Sequence, residues 1–586
     1  MIRRLIFLRL VGPRNLLRTF AQSPARRTEF RGRPQVPFLS VTTSRGGGRV
    51  RYLTTERRAQ LKYEIKTGIK YTGYIWIAGA SFLAIWFAVV QERLERRYPT
   101  PHEWSYRTRM DFRGGNCARF EPEPGQITDW LQVASWFETT VSRLHDPAID
   151  GQGVKDAPGD CPPGTKDITE KSEEWRMGYY EVLMGFAKAA EYVDGWVLDK
   201  SRNIVFPAGT MIGPSNPFPK PLPPGFKGAP REEDCSVRFD SPDLHYLRIL
   251  STPGFTNRQK IDAGLAYASW LDFKGTTGPA SLILEDTIHL AATERPNLPS
   301  PPLNPQTYTL NPSAGPASEN LLTALTAYAT FHARHGNLTT ALPIFVSLLR
   351  ARRTTPQLNT DTPLTAALAH QTPRSLSSRR YADPDRSIWS QLTSFFLPPA
   401  YPPPPPDGTA PPLRDSLALC QEAALSLHIG EIMFATTTSE REREEALGWT
   451  REAVDMAEEQ LHRAKPREQV HHLPGDDPAR TACRECLATG LGNWTAMVSK
   501  LAREEEKKQK KAGGTQKQQN SSGWFSGLSL WSSGNPGSSN GKAGGENGDD
   551  RWAAEAKVIQ DRKKRAAELL EDLPQPPRGV FSFLQA

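Results

Sequence analysis

The chain has 586 residues, 51 of them proline, and a net charge of +9; it is too long for one ordinary core, which points to several domains or a repeat array. The basic excess is local, since residues 1–51 carry twelve arginines, no lysine and one acid, Glu29. Removing that segment's +11 from the total leaves −2 for everything after Arg51, which excludes a general phosphate-neutralising surface and with it a nucleic acid partner.

The first predicted element is "MIRRLIFLRLVGPRNLLRTF", where Arg3, Arg4, Arg9, Arg14 and Arg18 flank an apolar stripe. Rich in Arg and Ser/Thr and nearly free of acid, residues 1–52 read as a mitochondrial transit peptide cleaved near Arg51 to Thr54. A disordered basic tail has the same composition, whereas Arg9 interrupts the apolar stretch that a secretory signal needs. A basic segment, 53–70, leads into "YTGYIWIAGASFLAIWFAVV", Tyr71 to Val90, which carries no charge in twenty residues. As a helix this spans about 30 Å, one bilayer core, with Tyr71, Tyr74, Trp76 and Trp86 suited to its interfaces. Five basic residues precede the span (Arg57, Arg58, Lys62, Lys66, Lys70) and three follow (Arg93, Arg96, Arg97), which orients the N-terminal side to the matrix and residues from 98 onward to the intermembrane space. A single span cannot enclose a solute path, so a transporter is excluded.

After the span, "YPTPHEWSYRTRMDFRGG" reads as a collar punctuated by Pro and Arg. Helical periodicity follows at Ile127 to His145 and at Lys171 to Asp199, the second opened by Ser172 and Glu174. Prolines are too dense for helix between Phe206 and Asp243, an extended connection. Helical pairs resume at Gln259 to Thr293 and Glu319 to Arg353. The stretch 395–413 then reads as stiff polyproline. Further helices are expected at Asp415 to Ala435, Glu440 to Lys465 and Arg480 to Lys511, then a disordered Gly/Ser-rich insert at 513–549 and a last helix at 551–573. Strand alternation is scarce. The expected fold is all-α, a transit peptide and one transmembrane helix followed by an α-solenoid over 98–505 with disordered insertions.

Two of these stretches share a layout at an offset of 61 residues. When Gly275 is set on Gly336, Tyr267-Ala268 falls on Tyr328-Ala329, Leu271 on His332, Ala280 on Ala341, Leu284 on Phe345 and Thr287 on Leu348. Two antiparallel helices need a small residue where they cross closest and a glycine in the turn between them. The spacing resembles the tetratricopeptide repeat, a helix–turn–helix unit of about 34 residues that stacks into a grooved array. It departs from that pattern where Gly264 and Leu325 replace the first-helix tryptophan and where the closing proline is missing. A third copy has Gly430, Ala446, Thr450 and Ala453 with a longer turn, and "CLATGLGNWTAMV" from Cys486 opens a fourth whose partner helix lies beyond the insert. Generic helical hairpins carry the same periodicity. In the tetratricopeptide register, Asp262, Ser269, Asp272, Thr326, Thr330 and Arg334 line the groove. Tyr267, Ala268, Leu271, Ala280, Leu284, Tyr328, Ala329, Ala341, Phe345 and Leu348 then pack between helices, with Gly275 and Gly336 at the turns.

No phosphate loop, zinc helix or nucleophile elbow is present. The strongest chemical cluster, "HHLPGDDPARTACREC", brings His471 and His472 near Cys483 and Cys486 in sequence. Adjacent histidines rarely face one metal, so packed thiols are the first reading, ahead of a Cys483–Cys486 disulfide, with thiol oxidoreductase chemistry in its train, and of a zinc site. Cys117, Cys161, Cys235 and Cys420 show no comparable spacing. Neither a cofactor, a metal, a small-molecule substrate nor an enzymatic activity is expected.

Together with the collar, "EEWRMGYYEVLMGFAKAAEYVDGW", "PREEDC", "HARHGNLTTALPIFVSLLRARR" and "TACRECLATGLGNW", the order of elements resembles a fungal family of mitochondrial inner-membrane repeat proteins over roughly residues 60–505. A relative of that family, matched in architecture alone, is the adaptor subunit of the yeast i-AAA protease complex. The resemblance implies an adaptor for protein quality control, with the protease and its substrates as partners. The alternative is an assembly factor for a respiratory complex on the matrix side.

Overall fold

The computed structural model describes residues 55–122, 127–159, 161–222, 228–295, 300–355, 401–463, 478–512 and 548–570. The transit peptide and its cleavage site, His471, His472 and the insert through residue 547 lie outside the described residues. Within them are thirteen α-helices and five short strands, and the protein is all-α. Two compact units divide after Ala88.

The first unit holds most of helix α1 (Thr55–Arg97), which joins the basic segment and the uncharged stretch in one rod. Its apolar side chains from Tyr71 to Phe87 are exposed, Trp76 by 76 %. This helix is long and apolar enough to cross a membrane.

The second unit begins with the last turns of α1. There buried Glu95 pairs with Arg109 at 2.9 Å and Arg113 at 2.7 Å, and accepts hydrogen bonds from Thr100 N and Oγ1. Most of the expected collar is helix α2 (Tyr106–Phe120), followed by α3 (Trp130–His145). Helix α4 (Glu173–Val193) starts where Ser172 Oγ accepts from the Trp175 amide at 3.2 Å. Helix was expected as far as Asp199, but Gly195 adopts φ +73° and breaks it. Val197–Asp199 instead forms strand β3, between Ile204–Phe206 (β4) and Cys235–Val237 (β5) in an antiparallel sheet, so the presumed extended connection is folded back; Lys155–Asp156 (β1) and Lys166–Asp167 (β2) form a second ladder.

After α5 (Pro242–Ser251) the chain runs as helix pairs: α6 (Asn257–Phe273) with α7 (Thr277–Thr293), and α8 (Glu319–Arg334) with α9 (Leu338–Arg353). Then come α10 (Ser416–Thr436) with α11 (Glu440–Arg463), and α12 (Pro478–Ala512) with α13 (Gly548–Leu570). Each helix packs on the next, and the first helices also touch in series, α4 on α6, α6 on α8, and α10 on α12. Gly548 and Asp549, expected in the insert, belong to α13.

The first two turns are built alike. Gly275 and Gly336 take φ +80° and +79°. Thr276 N reaches Leu271 O and Gly275 N reaches Asp272 O, just as Asn337 N reaches His332 O and Gly336 N reaches Ala333 O. Each is a Schellman close, satisfying carbonyls that the helix end would otherwise leave open. The ten packing residues named from the repeat register are all buried. In the third pair Gly430 sits under the Ala446 carbonyl, so the small residue again marks the crossing. One apolar core runs from Trp104 to Ile432, and a second, around Trp494 and Trp552, is shared by α10 to α13. Helix α10 is apolar on both faces because it lies between these cores; it is also long and apolar enough to span a membrane, but is largely buried.

Candidate functional site

The six residues expected to line a groove fall on α6 and α8, yet they are not six free groups. Asp272 accepts from His335 Nε2 at 2.6 Å and lies 3.6 Å from Arg334, so it ties α6 to the end of α8. Thr326 and Thr330 donate their hydroxyls to the carbonyls of Leu322 and Thr326, one turn back on their own helix. Ser269 is exposed. Asp262 belongs to a different cluster: Arg258 Nε stands 3.3 Å from it, and Arg258 Nη1 reaches Asn320 Oδ1 at 3.3 Å and Glu319 at 3.4 Å. Burial raises the Asp262 carboxyl, against the pull of Arg258.

Asn320 is the centre of that cluster and sequence reasoning missed it. It is 0 % exposed; its Nδ2 donates to Glu294 Oε1 and to the Asp407 carbonyl, both at 2.8 Å. Its amide donates to Gly408 O at 3.1 Å, and the Glu319 amide to Ala410 O at 3.1 Å. The acceptors belong to the Pro-rich segment, whose described part, 401–413, thus lies over the N-terminal end of α8. At its near end Tyr401 is buried, and burial together with the carboxylates of Glu181 and Glu174 on α4 pushes its hydroxyl well above the ordinary phenol range. Proline content marked this stretch as stiff, but no local pattern says where it lies.

His332, aligned with Leu271, is held 4.4 Å from Tyr328 and loses proton affinity through burial. It is a packing group here rather than a groove residue.

The cysteine expectation is corrected. Cys483 pairs with Cys420, not with Cys486, at a Cα–Cα distance of 5.1 Å. Both Cys483 and Cys486 lie on α12, and α12 packs directly on α10, which carries Cys420. Cys486 stays a buried thiol pushed up to about 12 by desolvation, the reverse of an activated nucleophile.

The fold and this face define a class: an all-α protein of stacked helical hairpins, preceded by one exposed apolar helix. No protein-family model, no curated protein and no solved structure matches the chain.

Proposed function

We propose that the protein is a membrane-anchored helical-repeat adaptor that holds partner or unfolded protein segments, serving the i-AAA protease of the mitochondrial inner membrane from the intermembrane space. The observation that carries this reading is the serial contact of helices α4, α6 and α8, with the N-terminal end of α8 gripping a stretch of extended main chain through Glu319 and Asn320. Recognition through backbone carbonyls holds a segment by its extended main chain, the mode in which one chain presents another. The arginine-rich start and the exposed apolar helix supply the address and the anchor.

A matrix-facing assembly factor for a respiratory complex would use the same face with the opposite topology. The Cys420–Cys483 disulfide favours the first reading, because such bonds persist in oxidising compartments and are rare in reducing ones. Affinity purification of the full-length protein from solubilised mitochondria, paired with protease treatment of mitoplasts, tests both. Recovery of the i-AAA protease with a digested C-terminal body is expected. A protected body, or respiratory assembly intermediates in place of the protease, would overturn the reading.

A further inference from the structure

We infer that the face shared by α4, α6 and α8 is a receptor for an extended, tyrosine-anchored, proline-rich peptide segment, and that residues 401–410 of this chain occupy it in cis. This deepens the adaptor reading by naming the kind of segment held, and it rests on that reading only for the existence of a partner in trans. Three hydrogen bonds from Glu319 and Asn320 take the carbonyls of Asp407, Gly408 and Ala410, so main chain is gripped over four residues. The grip is pre-organised, since Arg258 and Glu294 fix the Asn320 carboxamide from the other side. Glycine is required at 408: its φ is +72°, and a Cβ there would fall 2.1 Å from Asn320 Oδ1.

At the other end Tyr401 is 9 % exposed, belongs to neither apolar core, and buries a hydroxyl with no hydrogen-bond partner among the described residues. It behaves as a side chain docked near Glu174 and Glu181 of α4 and imperfectly matched there. Between the two anchors Pro403 to Pro406 are exposed and act as a rigid spacer that loses little entropy on docking. The segment's far end is tied by Arg414, whose Nε and Nη2 each lie 2.7 Å from the carboxylate of fully buried Glu422. A cis segment so tethered competes at high effective concentration, and a partner carrying the same chemistry has to displace it.

The test uses the full-length protein in detergent micelles and a fluorescent peptide of sequence YPPPPPDGTAP, read by anisotropy. Wild type is expected to bind weakly and Tyr401→Ala, which loosens the cis segment, at least about tenfold more tightly. Peptides with alanine in place of the tyrosine or of the glycine should bind the loosened protein at least about tenfold more weakly than the parent. Unchanged binding by folded Tyr401→Ala, or equal binding of the glycine-replaced peptide, would overturn the inference. Should Tyr401→Ala lose its cooperative melt, hydrogen exchange of the wild type decides. The Glu319 and Asn320 amides, held by this segment, should exchange well before the Leu322 amide, and exchange no earlier than global unfolding would show a fixed piece of the fold. Failure of either test leaves the adaptor reading to the co-purification experiment.

Discussion

Replacing Gly430 by alanine separates helix propensity from helix contact. In an ordinary helix interior this change stabilises by about 0.5–1 kcal/mol, because glycine loses more backbone freedom on folding. At Gly430 an added Cβ would lie 2.8 Å from the Ala446 carbonyl oxygen, 2.9 Å from Thr450 Oγ1 and 3.2 Å from Trp449 Cβ. The nearest atom is main chain of α11, and Thr450 Oγ1 is itself bonded to that carbonyl at 3.2 Å, so neither can swing aside. The two helices must part. Overpacking of this kind costs about 1–3 kcal/mol, and offsetting the propensity gain leaves a net loss of up to about 2.5 kcal/mol. Gly448→Ala on α11 is the control: a Cβ there meets nothing within 4 Å, so it should stabilise by about 0.5–1 kcal/mol. Thermal unfolding of the full-length protein, followed by far-ultraviolet circular dichroism, should move the two midpoints in opposite directions, by a few degrees each. A rise for Gly430→Ala matching that for Gly448→Ala would refute the reading of Gly430 as the closest crossing of the third pair.

Three further outcomes are expected. Cys420→Ser and Cys483→Ser should each abolish the disulfide, while Cys486→Ser keeps it, as counted by alkylation under denaturing, non-reducing conditions; loss of a link closing 63 residues should cost up to about 4 kcal/mol in denaturant unfolding. His245 is buried against Phe186, and burial lowers its pKa to about 4, so the unfolded chain binds its proton first and stability falls as pH drops from about 6.5 towards 4. His245→Phe should remove the His-linked part of that loss, on the order of 2–3 kcal/mol, and an unchanged pH profile would contradict the burial argument. Asp272→Lys breaks the contacts to His335 and Arg334 at a partly exposed site, so it should lower stability by under about 1 kcal/mol in denaturant unfolding while reducing partner recovery in affinity purification.

Features that repeat or run uninterrupted were legible in the sequence. The 61-residue offset located two hairpins down to the turn glycines, because a left-handed turn and a close crossing each demand a particular residue type. Gly430 and Ala446 carried the same logic across a longer turn, and α12 found its partner helix beyond the insert. Strands β3 to β5 were missed because three residues are too few to show alternation, and the helix before them ends at a glycine with no proline to flag it. Long-range pairings were also missed. The two-residue gap between Cys483 and Cys486 is a local signal, whereas the true partner of Cys483 is fixed by the packing of α12 on α10. The polar positions expected to line a groove fall on α6 and α8, but a period cannot tell a free hydroxyl from one bonded to its own helix, as at Thr326 and Thr330.

The departures from the tetratricopeptide pattern have structural answers. A first-helix tryptophan fills space between helices, whereas Gly264 removes the need for filling: a Cβ there would fall 2.5 Å from Thr287 Oγ1, so α7 lies directly against α6. In the next pair Leu325, fully buried, fills the same site with a smaller side chain. Crossings of unequal depth in adjacent pairs give apolar faces that match poorly as a uniform stack, and contacts between pairs then have to set their register. Polar ties do so at each junction. Asp272 with His335 joins α6 to α8, Arg353 with Glu452 at 2.6 Å joins α9 to α11, and Arg451 with Glu555 joins α11 to α13. Each is partly exposed and contributes little stability alone. A slip of α8 by one turn against α6 would carry His335 about 5.4 Å from Asp272, so the penalty falls on misregistered stacks rather than on the native one. Helical pairs that cross at unequal depth can thus keep a single order of helices, and with it the spacing between Tyr401 and Asn320.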